Sequence, residues 1–288
     1  MPSDTNTPVA VVTGASSGIG RSTARELVTR GWRVIGVGRD PRRSAAATAE
    51  IAGAARDGGE FTMLRGDFDL MSEVERVASE IAGQTSRLDV LINNAGGIRD
   101  RQILTAEGAE ATFAANHLAP FLLTRNLLPL LRKTADLPDG SARVIAVSSN
   151  AHRMCPDLDW TDLQSMGNPV AAYGRAKLAN ILYTRELARR VGPDGITAQA
   201  MHPGVVDTNF ASHGSASVRA HLAAADTVSP DEPAETLVWL ATGPEGGRDG
   251  GRYFYRKAEE VPADVARDDD SAARLWTESE KILAKLGF

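Results

Sequence analysis

Seven short apolar runs recur along the chain, at 9–13, 33–38, 61–66, 88–92, 143–147, 196–201 and 251–255. The first, Val9-Ala-Val-Val-Thr13, reads as a buried strand, and the others read as strands in turn. Between them the apolar positions switch to helical spacing. Ala24, Leu27 and Val28 share one face of 21–30, and an alanine-rich stretch runs to about 56. Further helical patterns cover 72–82, 107–132, 169–190 and 231–241, and an amphipathic helix at 271–286 closes the chain. Strands alternating with helices predict an α/β fold, a doubly wound parallel sheet of about seven strands with helices on both faces. No repeat, low-complexity tract or linker interrupts 1–288, which reads as a single domain. Residues 1–7 read as a frayed polar tail, and 205–229, small-residue-rich and amphipathic beyond Phe210, as a lid.

Bulk properties narrow the function classes. The formal net charge is −5 with no long basic run, which argues against nucleic acid or an acidic membrane surface as partner. Hydrophobic residues are 42% and charged residues 24%, ordinary for a protein with a sizeable core. The N-terminus lacks the charge and apolar run of a signal peptide, and no stretch approaches the roughly 20 apolar residues of a membrane helix. Cys155 is the single cysteine, which fits a reducing cytoplasm. His117, His152, His202, His213 and His221 lack metal-ligand spacing, so no metal site is expected.

The chemistry gathers where strands end. Gly14, Gly18 and Gly20 lie between the first strand and its helix, where glycines let the backbone approach a ligand and free N–H groups face a pyrophosphate. Their spacing, Gly-x-x-x-Gly-x-Gly, differs from the usual dinucleotide fingerprint. Asp40 lies about 20 residues past the glycines, the distance of an acid that grips the ribose of NAD. It also precedes Pro41, and Asp at N-cap with Pro at N1 starts a helix without any ribose. Arg39, with Arg42 and Arg43 nearby, suits the 2′-phosphate of NADP, so NADP(H) is favoured over NAD. Asp67 and Phe68 end the third strand and are candidates to hold an adenine, whereas Asp69 reads as a cap for the next helix. Asn116 inside an apolar helical pattern needs a partner, the plain option being a backbone bond that kinks the helix. Tyr173 and Lys177 at i and i+4 share a helix face, where a fixed positive charge lowers a phenol's pKa and makes a proton-transfer device; taken alone, the plain alternative is a half-buried tyrosine beside a solvated lysine. Met154, Trp160 and Phe210 are candidates to line a substrate pocket, with core packing an equal alternative for the first two.

Taken in order, Thr13-Gly-x-x-x-Gly-x-Gly20, Asn93-Asn-Ala-Gly96, Asn116, Ser149, Tyr173-x-x-x-Lys177 and Pro203-Gly-x-x-x-Thr208 resemble the short-chain dehydrogenase/reductase family. The stretches Val147-Ser-Ser-Asn-Ala-His152, Asn116-His-Leu-Ala-Pro-Phe-Leu-Leu-Thr124, Ala176-Lys-Leu-Ala-Asn-Ile-Leu182 and Ala272-Ala-Arg-Leu-Trp276 are similar to its retinol dehydrogenase-like branch. The resemblance implies a Rossmann fold and a hydride transfer between nicotinamide and a carbonyl or alcohol, and it does not name the substrate. It implies Tyr173 as general acid or base, Lys177 lowering its pKa and binding the nicotinamide ribose, Ser149 rather than Ser148 on the substrate oxygen, and Asn116 holding a proton-relay water. The cofactor would meet Gly14, Ser16, Ser17, Gly18, Ile19 and Gly20 at the pyrophosphate, and Arg39, Asp67 and Phe68 at the adenosine end. Asn94, Ala95 and Gly96 would lie at the adjacent ribose, and Pro203, Val206 and Thr208 at the nicotinamide. Family members often pair through the helices bearing Asn116 and Tyr173, while some of this branch are monomers, so a homo-oligomer stays open. The alternative is a catalytically silent, nucleotide-sensing protein on the same fold.

Overall fold

The computed structural model describes residues 7–208, 214–216, 220 and 224–288, without the side chain of Val170. Phe210, His213, His221, most of the expected tail and much of the expected lid lie outside the described residues.

Strand β1 (Val9–Thr13) is buried along its whole length, as a central parallel strand covered on both faces must be. Its side chains alternate between two cores. Val9 and Val11 join one cluster, whereas Ala10 and Val12 join the other. The second cluster lies against α1 (Gly18–Thr29), α2 (Pro41–Ala54) and α7 (Asp231–Thr242), through Leu27, Val28, Ile51, Leu237 and Leu240. The first lies against α3 (Met71–Gln84), α5 (Ala119–Ala135), α6 (Pro169–Val191) and α8 (Asp269–Leu286).

The described strands form one sheet in the order β3-β2-β1-β4-β5-β6-β7-β8. Here β2 is Arg33–Gly38, β3 Glu60–Arg65, β4 Val90–Asn93, β5 Ala142–Val147, β6 Ile196–Met201, β7 Tyr253–Tyr255 and β8 Ala258–Glu259. All pairings are parallel except β7 with β8. Strand order reverses beside β1, whose neighbours β2 and β4 leave in opposite directions, and ligands in such sheets bind in the crevice beyond the strand ends there.

Eight strands replace the expected seven. The extra one, β8, returns from β7 through Arg256 and Lys257, both at positive φ (49° and 61°), as a type I′ turn requires. This turn lacks the usual Asn or Gly, and α7 holds it from outside: Arg256 donates to Glu232 and Lys257 to Glu235, each at 2.6 Å.

The helical pattern around Asn116 is not uniform. A short α4 (Ala111–Phe113) widens into a π-turn (Ala114–Leu118) before α5 resumes. Pro120 lacks the N–H that would close on the Asn116 carbonyl, so regular winding fails at this point. The face shared by the Asn116 and Tyr173 helices is covered by the chain's own α8. Trp276 packs on Phe121 and stacks on Tyr183, Arg125 pairs with Glu280 at 2.7 Å, and buried His117 bonds Ser279 at 2.8 Å.

Candidate active site

The glycine loop is shaped by what each absent Cβ would strike. A Cβ on Gly14 or Gly20 would come within 2.8 and 2.5 Å of the Asn94 amide nitrogen, and one on Gly18 (φ +53°) within 2.9 Å of Thr208. Asn94 fills that space because it ties two strand ends together. Its amide donates to the Thr13 carbonyl (2.8 Å), while the Thr13 hydroxyl accepts the N–H groups of Asn94 and Ala95 (2.9 Å each). The Ser17 side chain does not cap the first turn of α1, and no acidic residue stands in that turn. A cradle of close backbone beside a helix N-terminus that its own N-cap side chain leaves open fits the pyrophosphate of a dinucleotide, with Ser16, Ser17 and Ile19 half-buried around it.

At the end of β2, Asp40 accepts the Arg43 N–H at 2.8 Å and caps α2, the helix-start role foreseen for it. Arg39 stands exposed next to it and leans on Asp67 (3.5 Å) and Asp69 (3.3 Å). Two expectations need correction here. Phe68 is buried in the core beside α3, so its ring is not offered to an adenine, whereas Asp67 does stand on the edge. Asp69 does not cap α3. It pairs with Arg39 and Arg99, and the helix start is capped by the distant Glu107, which accepts the N–H groups of Met71 (2.5 Å) and Ser72 (3.1 Å). Arg99 carries no signal in the sequence, since nothing marks an arginine in a loop as the partner of an acid 30 positions earlier.

Strand β5 delivers Ser148 and Ser149, and the two have different tasks. Ser148 donates to the Lys177 carbonyl at 2.7 Å and fastens α6 to the sheet. Ser149 faces Tyr173, to which its hydroxyl is hydrogen-bonded, and accepts the Ala151 N–H at 3.1 Å. The Lys177 ammonium donates to the Val147 carbonyl at 3.0 Å and lies 5.6 Å from the centre of the Tyr173 ring. Gly174 lets the turn Asn150–Met154 approach α6 beside Tyr173, because a Cβ there would come within 2.9 Å of the Cys155 thiol.

Asn116 is placed by three bonds. Its amide donates to the carbonyls of Thr112 and Gly97 (2.8 Å each), and its oxygen accepts the Gly97 N–H at 3.2 Å. The first is the back-bond foreseen as the plain reading, and the other two clamp the loop after β4. Gly96 lies between Asn116 and Lys177. A Cβ on it would sit 2.4 Å from the Asn116 oxygen and 3.5 Å from the Lys177 nitrogen.

Burial works against the pull expected from Lys177. Burial pushes the Tyr173 hydroxyl up to about 12, against the opposing pull of its hydrogen bond to Ser149. Burial likewise pushes the Lys177 ammonium down to about 8. Within the protein's own groups, desolvation outweighs the attraction expected from Lys177. At neutral pH Tyr173 therefore holds its proton, the form needed to protonate a nascent alkoxide.

Val206 and Thr208 follow β6 near the glycine loop, with Val206 bridged to Val228. His202, just before Pro203, stacks on Tyr255 and bonds Glu260 at 3.0 Å. A cavity of about 290 Å³ opens beside the start of α6, lined by Met154, Cys155, Asn168, Ala171, Gly174 and Arg175 among others, and it flanks Tyr173 rather than containing it. Met154 lines it, whereas Trp160 packs against the core under Arg274. Among the described residues no cluster of three or more His, Cys, Asp or Glu side chains forms, and no helix is long and apolar enough to cross a membrane.

Residues 8–218 match the family model described as short chain dehydrogenase. The chain belongs to the short-chain dehydrogenase/reductase family. Within it the chain falls in the retinol dehydrogenase-like branch. It is 37% identical to mouse retinol dehydrogenase 14, over 96% of this chain and 86% of that protein. Among solved structures it resembles an uncharacterised Mycobacterium paratuberculosis protein (33% identity, TM-score 0.73, 96% and 95% of the two chains). It also resembles the Pseudomonas aeruginosa RhlG/NADP active-site complex (26% identity, TM-score 0.69, 90% and 96%). Short-chain dehydrogenases/reductases act on alcohols or carbonyls, and the strand-end edge where such sheets bind ligands is here the one that gathers the glycine loop, Ser149, Tyr173 and Lys177.

Proposed function

We propose that the protein is an NADP(H)-dependent oxidoreductase that interconverts a carbonyl and an alcohol, with Tyr173 as general acid and base. The observation that carries this reading is the meeting of Ser149, Tyr173 and Lys177 at the carboxyl end of β5, with Tyr173 buried. When bound, the nicotinamide supplies or accepts the hydride. Ser149, whose oxygen already accepts the Ala151 N–H, directs its own proton toward the substrate oxygen and stabilises the charge that grows there. Tyr173 delivers the proton, and the nearby Lys177 charge favours the phenolate left behind. Asn116 keeps the loop carrying Gly96 and Gly97 in place and, on this reading, holds the relay water as well.

Two observations support NADP over NAD. Asp40 is committed to capping α2, and Arg39 is exposed at the end of β2, where its guanidinium can turn from Asp67 and the partly buried Asp69 to a 2′-phosphate. The likeness to the RhlG/NADP complex agrees. The test is NADPH and NADH oxidation over a panel of aldehydes and ketones, repeated with Arg39→Ala. A charged hydrogen bond of about 1.5–3 kcal/mol predicts a roughly 10- to 150-fold loss in kcat/KM for NADPH and little change for NADH. A tenfold preference of the wild type for NADH would overturn the Arg39 argument, and cofactor binding without turnover across the panel would favour the silent nucleotide sensor.

A further inference from the structure

Behind Ser149 sits a histidine that the proposed chemistry does not use. His152 is fully buried on the turn Asn150–Met154. Its ring Nδ1 lies 2.7 Å from the Ser149 carbonyl, which also accepts the His152 backbone N–H at 3.1 Å. Its Nε2 accepts the Ala263 N–H at 3.1 Å, and Tyr253 packs edge-on against the ring at 5.3 Å. These partners settle the tautomer. Nε2 faces a donor and must be bare, so the proton is on Nδ1 and points at Ser149. Ala263 follows the β7–β8 hairpin, which α7 holds through Glu232 and Glu235, and Arg153 ties the same segment to the turn through Glu260 and the Val261 carbonyl.

We infer that His152 is a positioning residue: it fixes the Ser149 backbone, and through it the direction of the Ser149 hydroxyl, by linking that carbonyl to the C-terminal segment at Ala263. The inference rests on the role proposed for Ser149. It assigns a task to the segment after β8, which otherwise stands apart from the chemistry. The ring works as a rigid spacer of fixed polarity, with a donor toward the site and an acceptor toward the hairpin.

Two substitutions separate its ends. Asn reaches the Nδ1 position and keeps a donor for Ser149 while losing Ala263. Gln reaches the Nε2 position and keeps an acceptor for Ala263 while losing Ser149. Crystal structures of His152→Asn and His152→Gln, together with carbonyl reduction kinetics, are the experiment. Ser149 Oγ should stay beside Tyr173 in the Asn variant and move away in the Gln variant. The Gln variant should lose about tenfold in kcat, the Asn variant less than about threefold, and both should keep the wild-type KM for NADPH, since one hydrogen bond near the reacting oxygen is at stake. Ser149 in its wild-type position in both variants, or equal kcat in the two, overturns the inference. Unchanged kcat in Ser149→Ala would instead overturn the role of Ser149, and the crystallographic comparison decides the His152 question in either case. If neither His152 variant folds, Ala263→Pro carries the test. The native φ of −57° suits proline, so only the N–H is lost, as in the Asn variant, and kcat should fall by about two- to threefold with no loss in Tm, whereas unchanged kcat contradicts the inference.

Discussion

Acidification should loosen the fold through His117, one position from Asn116 in the π-turn. The ring is buried among Phe113, Phe121 and Tyr183, with Nε2 on the Ser279 hydroxyl, and burial holds its pKa down to about 4 against an ordinary 6.5. The unfolded chain takes up this proton first as pH falls. The stabilisation from keeping the ring neutral is therefore complete above about 6.5 and is lost as pH drops through the interval down to about 4. Over the whole interval the loss is about 3 kcal/mol, of which about 2 kcal/mol has gone by pH 5, or roughly thirtyfold in the unfolding equilibrium. The assay is urea unfolding at pH 8 and pH 5 for the wild type and His117→Gln, whose amide can still reach Ser279 but does not titrate. His152, His202 and the carboxylates titrate in both proteins and cancel in the difference. The wild type should lose about 2 kcal/mol more than the variant over this range. Equal losses would refute the assignment of a buried neutral His117.

Two further substitutions test the devices that hold the site. Glu107→Ala removes the cap from α3 and should cost about 1–2 kcal/mol in urea unfolding, and a change below about 0.3 kcal/mol would mean that water replaces it freely. Gly96→Ala drives a methyl into Asn116, whose three hydrogen bonds leave it nowhere to turn. It should cost about 1–3 kcal/mol in stability and lower kcat, so wild-type values of Tm and kcat would show that the loop yields more easily than its bonding suggests.

The parts of this molecule legible in its sequence are those where one residue's chemistry has a single outlet. Apolar runs such as Val9-Ala-Val-Val-Thr13 suit little but a buried strand, and Asp40-Pro41 announces a helix start whatever the cofactor. The hidden parts depend on partners distant in sequence. The β7–β8 turn carries Arg256 and Lys257 where asparagine or glycine is usual, and the glutamates of α7 hold it. Glu107 caps a helix 36 positions away, and Phe68 turns inward because α3 offers it a core. The expected pull of Lys177 on Tyr173 was a sound local argument, yet burial of both groups, visible only in three dimensions, acts more strongly.

The measurement that bears most directly on the central claim is turnover of Tyr173→Phe beside the wild type, with NADPH affinity measured on both proteins. Removing one oxygen from a buried ring leaves the packing in place and takes away the proton. The account predicts unchanged NADPH affinity and a kcat lower by about 10²–10⁴-fold, the usual worth of a positioned acid. Full kcat in Tyr173→Phe would contradict it.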